Sequence, residues 1–342
     1  MGLLNFLSRK YVGHPEAMVV SCFFNPQRSL YRLQAFDTFY DSIKDLNHTI
    51  VECVIGDGVL QLPESKSIQR VYTKSLLWHK EGLLNRVIAG LPSQYKYVFW
   101  LDADVLFTNR RWLVEGVKVL QRERIVQPFE FCVHLERDEV KPGFNLDLLR
   151  PYCNDPLRPH PRFWRGFGAS HGMGLSNSLD YHVHGHVGFA WGARREVLDR
   201  VGLFDRALIG GADHVMAHAA VGQIPHHCIR TTFVENLDEV VDWSRRFYGA
   251  TEGRLGFVRG DLWHLWHGDV EKRRYFERIR DFTERSRSIV QRDESGLYVS
   301  DGDDSYIKDY FRGREVSDAE DEGMIAEDEG MTEGVDEGVI FS

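Results

Sequence analysis

No run of about 20 consecutive apolar residues occurs in the sequence, which excludes a membrane-spanning helix. The five cysteines, Cys22, Cys53, Cys132, Cys153 and Cys228, include no CxxC pair and are odd in number. That pattern argues against a disulfide framework and against a structural zinc site, and suits reduced thiols in a cytosol, so a cytoplasmic location is expected. Met1 to Lys10 lacks the apolar run and small-residue cleavage site of a secretory signal. Phe6 stands where a myristoylation signal needs Ser or Thr. Lys and Arg are missing from residues 315–342, which hold eleven Asp and Glu. This segment accounts for the formal charge of −9, because the remainder carries 42 basic against 40 acidic residues. The body of the chain therefore does not repel an anionic partner.

What is present suits a globular protein: 342 residues, 43% of them hydrophobic, hold enough apolar material for one large domain or two ordinary ones. The acidic segment repeats Asp321-Glu322-Gly323-Met324, Asp328-Glu329-Gly330-Met331 and Asp336-Glu337-Gly338-Val339. Dense like charge with a glycine in every unit builds no core, so a disordered tail is expected, solvating, docking or autoinhibitory in role. Earlier in the chain, Met18–Phe24 reads as a short strand and Arg28–Leu46 as an amphipathic helix. Thr49–Ile55 reads as a second strand, stopping at Gly56-Asp57-Gly58. Leu76 to Leu91 carries a helical apolar face closed by Gly90 and Pro92, and Tyr97–Leu101 reads as a third strand. Strand and helix in alternation predict a mostly parallel sheet whose ligands gather at the strands' carboxyl ends. Asp57 and the Asp102-Ala103-Asp104 triplet both fall at such ends. Pro142–Leu179 shows little periodicity and reads as irregular. Helices are expected again near Arg194–Val201, Asp213–Val221 and Glu271–Ile289, with a final aromatic strand over Asp261–His267.

Asp102 and Asp104, one residue apart after an apolar strand, can offer carboxylate oxygens to a hard divalent cation, Mg2+ or Mn2+. Such a cation neutralises a diphosphate leaving group. Paired acids after a strand can equally solvate a turn. The wider pattern is more specific. Lys80-Glu81-Gly82-Leu83-Leu84-Asn85, followed by Tyr97-Val98-Phe99-Trp100-Leu101-Asp102-Ala103-Asp104, resembles the K-x-x-x-x-N and apolar-DAD run of GT-A glycosyltransferases, especially family 2. Gly188-Phe189-Ala190-Trp191, Arg194-Arg195-Glu196-Val197-Leu198 and Gly202-Leu203-Phe204-Asp205 resemble that superfamily's acceptor-side strand, helix and turn. In order, these pieces cover residues 18–275.

The resemblance implies a Rossmann-like, mixed and mostly parallel GT-A domain over 1–314. Its nucleotide-binding half would span about 18–108 and its acceptor half about 109–290, with 315–342 as the tail. It also implies transfer of a hexosyl or pentosyl group from a nucleotide-diphospho-sugar, a UDP-sugar, to a hydroxyl. Asp104 would ligate the metal, with Asp102 at the metal or the ribose, and Lys80, Asn85 and Asp57 near the nucleotide. His267 would complete the metal site, since imidazole suits Mn2+ better than Mg2+, and Arg273 would neutralise the diphosphate. Gly210-Gly211-Ala212-Asp213-His214 resembles the segment that supplies the base of inverting members, giving Asp213 that role. Asp213 could alternatively serve only as a helix N-cap.

His264, Trp266, Trp191, His184, His186 and His214 are candidates for the sugar or acceptor pocket. His182, His184 and His186 alternate as they would on one strand face, where they would hold a metal, line the cleft or be plain surface. His214 and His218 lie four apart, but Val215 replaces the Glu of a zinc-peptidase H-E-x-x-H. Arg158–Arg165 and Trp243–Tyr248 read as Arg-rich aromatic loops, which would permit an anionic acceptor such as a modified nucleic acid; a glycan or a lipid-linked glycan stands beside it as an expected acceptor. Two other readings stand beside the transferase: a nucleotidyltransferase, disfavoured by the lack of glycine in Ser21–Pro26, and an inactive binding module of the same fold.

Overall fold

The computed structural model describes residues 10–56, 58–140, 162–233, 236–268, 290–300, 305 and 307–311. The acidic segment 315–342 and the helix expected over Glu271–Ile289 lie outside the described residues.

The first half alternates as expected: β1 (Ala17–Phe23), α1 (Leu30–Ile43), β2 (His48–Ile55), β3 (Ile68–Thr73), α2 (Lys80–Ala89) and β4 (Tyr97–Asp102). Next come β5 (Val105–Phe107), α3 (Trp112–Leu120), β6 (Ile125–Gln127), β7 (Phe131–His134) and β8 (Phe163–Arg165). The chain continues through α4 (Phe167–Gly172), α5 (Tyr181–His184), β9 (Ala190–Arg194), α6 (Arg195–Val201), α7 (Ala212–Ala220), α8 (His227–Thr232) and α9 (Leu237–Thr251). It closes with β10 (Leu255–Phe257), β11 (Asp261–His264) and a hairpin of β12 (Val290–Arg292) and β13 (Tyr298–Ser300).

Seven strands form one sheet in the order β10-β6-β9-β4-β1-β2-β3. β1, β2, β3 and β4 are mutually parallel, and β9 runs antiparallel to both β4 and β6. A second sheet has the order β5-β11-β7-β8. The mixed, mostly parallel α/β arrangement expected from the sequence is therefore present. No helix among the described residues is long and apolar enough to cross a membrane.

The sheet is buried on both faces, and strand alternation divides the core accordingly. Met18, Val20, Val98 and Trp100 pack with Leu83, Leu84 and Val87 of α2 and with Val240, Trp243 and Phe247 of α9. Val19, Phe99 and Leu101 pack on the other side with Phe36 and Phe39 of α1 and Leu113 and Val117 of α3. Each such fully buried aromatic contributes about 1.5–3 kcal/mol. Phe99 reaches its neighbours only because they lack side chains: a Cβ on Gly192 of β9 would lie 2.4 Å from its ring, and one on Gly116 of α3 would lie 2.8 Å away.

Several sequence expectations are corrected. β3 was not anticipated, so the Asp102 triplet follows the fourth strand of the series. The segment Trp243–Tyr248 is no loop, because it lies inside α9 with Trp243 and Phe247 buried. Within the stretch read as irregular, residues 163–165 and 167–172 form β8 and α4. Tyr181–His184 is a short helix rather than a strand, started by the Asp180 side chain accepting from the His182 backbone N–H at 2.9 Å. The aromatic strand ends at His264, leaving His267 in the segment beyond it, and β12 and β13 follow it in the chain.

Candidate active site

Because β1 and β4 are parallel neighbours, their carboxyl ends share one edge of the sheet, with Cys22 opposite Asp102. α2 follows β3, so its first turn, bearing Lys80 and Glu81, starts at that edge. From the far side come Gly210 and Gly211 at φ of 99° and 96°, a left-handed pair that glycine adopts without strain. Gly211 is the N-cap of α7, so Asp213 stands in its first turn and is not the cap residue. These segments close a cleft lined by Phe24, Arg32, Trp78, Lys80, Glu81, Asp102, Asp104, Phe189, Asp213 and His264, among others.

Lys80 organises the acidic wall. Its Nζ lies 2.5 Å from Asp102 Oδ1 and 3.4 Å from Asp213 Oδ2. Burial opposes the ammonium charge, but Asp102, Asp213 and Glu81 together hold its pKa well above the usual lysine value. Burial pushes the Asp102 carboxyl up to about 6, with Lys80 opposing and Asp213 and Asp104 adding to the rise. Glu81 is 3% exposed. Its burial pushes it up to about 8, against Lys80 and with Asp213 and Asp102.

Asp104 is set differently. The β5–β11 pairing puts His264 opposite Val105, and the Leu265 N–H donates to the Asp104 carbonyl at 2.8 Å. His267 and His264 are thereby brought to one carboxylate oxygen. Asp104 Oδ2 lies 2.9 Å from His267 Nε2 and 3.8 Å from His264 Nε2. Burial would raise this carboxyl's pKa, yet the two imidazoles and Arg32 hold it well below the usual range. Asp104 Oδ1 is buried without a hydrogen-bond partner. One donor atom from each of Asp104, His264 and His267 lies within 4.8 Å of the others, a spacing from which a divalent cation could be held. An orphaned carboxylate oxygen beside two imidazoles is a donor set that fits such an ion.

Phe189 completes the wall at a cost. Its φ of 79° is left-handed, unusual for a non-glycine residue and worth about 1–3 kcal/mol of strain. The Asp102 N–H donates to its carbonyl at 2.7 Å, and its ring lies parallel to His186 at 4.2 Å and near-parallel to His264 at 4.9 Å.

The residues singled out from sequence separate into three groups. Lys80, Asp102, Asp104, Asp213 and His264 line the cleft, and His267 is buried directly against Asp104. Asp102, expected at the metal or the ribose, is ion-paired with Lys80, and His264, expected in the sugar or acceptor pocket, lies beside Asp104 and His267. Asn85, expected near the nucleotide, clamps the Gly202–Phe204 turn: its Oδ1 accepts from the Leu203 N–H at 2.7 Å and its Nδ2 donates to the Leu203 carbonyl at 3.0 Å. Trp191, His184, His186, His214 and Trp266 are not among the residues lining the cleft. Trp191 is buried in the sheet core with its Nε1 donating to the Val187 carbonyl. Trp266 packs edge-on against Tyr31, and the Arg137 guanidinium covers both rings. Asp57 and Arg273 lie outside the described residues. Sequence reasoning missed Glu81, Arg32 and Trp78. For Glu81 a signal existed, an acid beside a lysine in the first turn of a helix that follows a sheet strand.

No family model matches this chain, and no curated protein does. Among solved structures it is similar to a mannosyltransferase of Pyrobaculum calidifontis in complex with GDP-Man and Mn2+, with a TM-score of 0.38 and 14% identity over 81% of this chain and 66% of that one. It is also similar to glucosyl-3-phosphoglycerate synthase of Mycobacterium tuberculosis, with a TM-score of 0.34 and 11% identity over 84% and 87% of the two chains. A third is the catalytic domain of Drosophila beta1,4-galactosyltransferase 7 in complex with xylobiose, with a TM-score of 0.34 and 12% identity over 85% and 97%. Likeness at this level assigns no chemistry to the present chain; its own side chains must carry that.

Proposed function

We propose that this protein is a metal-dependent GT-A-type glycosyltransferase that moves a hexosyl or pentosyl group from a nucleotide-diphospho-sugar, a UDP-sugar, to a hydroxyl acceptor. The observation that carries the reading is Asp104, with one buried oxygen unpartnered and the other closed on by His264 and His267, at the carboxyl edge of a parallel sheet. Asp104, His264 and His267 would hold the cation, and the nitrogen donors favour Mn2+ over Mg2+. A divalent ion bound there supplies charge neutralisation to the departing diphosphate.

The chain's own residues account for the rest. Phe24 and Trp78, edge-on at 5.6 Å, offer an apolar wall for a nucleobase or sugar. Glu81 lines the same cleft beside them, a further carboxyl available to a bound donor. Asp213 faces the cleft with Oδ1 buried and unpartnered, suited to accept the proton of an acceptor hydroxyl. As that hydroxyl oxygen bonds to the anomeric carbon, the sugar–phosphate bond breaks and its electron pair leaves with the diphosphate, inverting the centre. Lys80 keeps Asp102 and Asp213 apart and oriented through its two ion pairs.

A panel of nucleotide sugars, read by thermal stabilisation with Mn2+ and then by release of nucleotide diphosphate, tests the reading. Asp213→Asn is expected to bind the donor as wild type does and to lose transfer. Normal transfer by that variant removes Asp213 from the base role, and absence of stabilisation by every nucleotide sugar contradicts the function itself.

A further inference from the structure

A second group of metal-ligating side chains is carried by α5, α7 and α8, and none of its members is among the residues lining the cleft. His184 closes α5, His214 and His218 lie four apart on α7, and Cys228 is in the first turn of α8. One donor atom from each lies within 4.8 Å of all the others. The His214 and His218 rings are parallel within 8°, as residues four apart on one helix face can be, and the His184 ring centroid lies 5.5 Å and 5.2 Å from theirs. Cys228 Sγ is 3.4 Å from His218 Nε2.

The surroundings orient these groups toward a common point. His218 Nδ1 meets Gln223 Oε1 at 2.7 Å, and His184 Nδ1 meets the Gly185 carbonyl at 2.9 Å. Both acceptors take an Nδ1–H, which leaves each Nε2 with its lone pair; such carbonyl partners commonly fix metal-binding imidazoles. His214 Nε2 is buried with no hydrogen-bond partner, a polar atom that an ordinary core would satisfy. His226 stacks on His218 at 4.2 Å and brings Nδ1 to 3.1 Å from Cys228 Sγ, where it can donate to a thiolate. A tetrahedral zinc ion with Zn–N of about 2.0–2.1 Å and Zn–S of about 2.3 Å needs ligand atoms roughly 3.3–3.6 Å apart. His218 and Cys228 already meet that spacing, and the other pairs, none more than 4.8 Å apart, need close by at most about 1.5 Å.

We propose that His184, His214, His218 and Cys228 form a closed, tetrahedral Zn2+ site that ties α5, α7 and α8 together. Three imidazoles and one thiolate suit zinc, and four protein ligands leave no open position, so the ion is structural. The absence of CxxC did not preclude such a site, because its ligands come from three separate elements. The proposal is independent of the transferase reading, although the ion would also fix the first turns of α7, where Asp213 faces the cleft.

The test uses the full chain purified without added chelator. Elemental analysis is expected to find about one zinc ion per chain after dialysis. After exchange for Co2+, a thiolate-to-metal charge-transfer band is expected, absent in Cys228→Ser and unchanged in Asp104→Ala. Should Cys228→Ser fail to fold, X-ray absorption of the wild-type zinc decides, with one sulfur expected at about 2.3 Å. No zinc retained and no thiolate band after Co2+ addition overturns the proposal. So does a band that persists in Cys228→Ser, or zinc without a sulfur neighbour.

Discussion

Glu81 gives the most quantitative test of the site's electrostatics. The residue is 3% exposed, and its carboxyl feels the charges of Lys80, Asp102 and Asp213. Burial raises its pKa from 4.5 to about 8, so between those values the folded chain binds this proton more tightly than the unfolded chain does. The stability it contributes is therefore complete below about pH 4.5 and is lost as pH rises toward 8. At roughly 1.4 kcal/mol per tenfold, the full interval sets a ceiling of about 5 kcal/mol. Asp102 and Asp213 share the same charge balance with Lys80, so the groups titrate as a set and the loss is expected below that ceiling. Glu81→Gln keeps the shape and the hydrogen-bonding capacity but cannot ionise. Urea unfolding at pH 5, 6, 7 and 8 should show wild type losing stability with pH, and the variant losing distinctly less. A variant less stable than wild type at pH 8, with the same slope, would refute the placement of a protonated carboxyl here.

Asn85→Ala removes both bonds to Leu203 and should cost about 2–3 kcal/mol by denaturant unfolding, while leaving nucleotide affinity unchanged by titration. A direct nucleotide contact would give the opposite pattern. Gly192→Ala forces a Cβ to 2.4 Å from Phe99, so a destabilisation of about 1–3 kcal/mol is expected in thermal unfolding.

The sequence made legible those parts whose signal is local. The apolar run Tyr97–Leu101 ending on two acids marks a buried strand and its carboxyl end, and β4 is that strand. Lys80, Asp104 and Asp213 stand at element boundaries that sequence patterns flag. β3 escaped because it is an edge strand: Gln69 and Tyr72 are exposed, so its apolar content falls below that of a buried strand. The His182, His184 and His186 alternation suggested a strand, yet Asp180 initiates a helix there, and only His184 turns into the buried cluster. The convergence of His264 on Asp104 and of Cys228 on His218 depends on pairings more than a hundred residues apart in the first case and on helix docking in the second. Spacing along the chain carries neither. Asn85 matched a motif position, but its side chain answers the unsatisfied backbone of Leu203.

The central claim is that Asp104 anchors a divalent cation needed for a nucleotide diphosphate. Calorimetric titration of UDP into the wild-type protein, with Mn2+ present or simply omitted so that no chelator disturbs other metal, tests it most directly. Binding should require Mn2+ and should disappear in Asp104→Ala, whose fold is checked by an unchanged unfolding transition in the absence of nucleotide. UDP binding that is equally tight without Mn2+, or that survives in Asp104→Ala, would contradict the account.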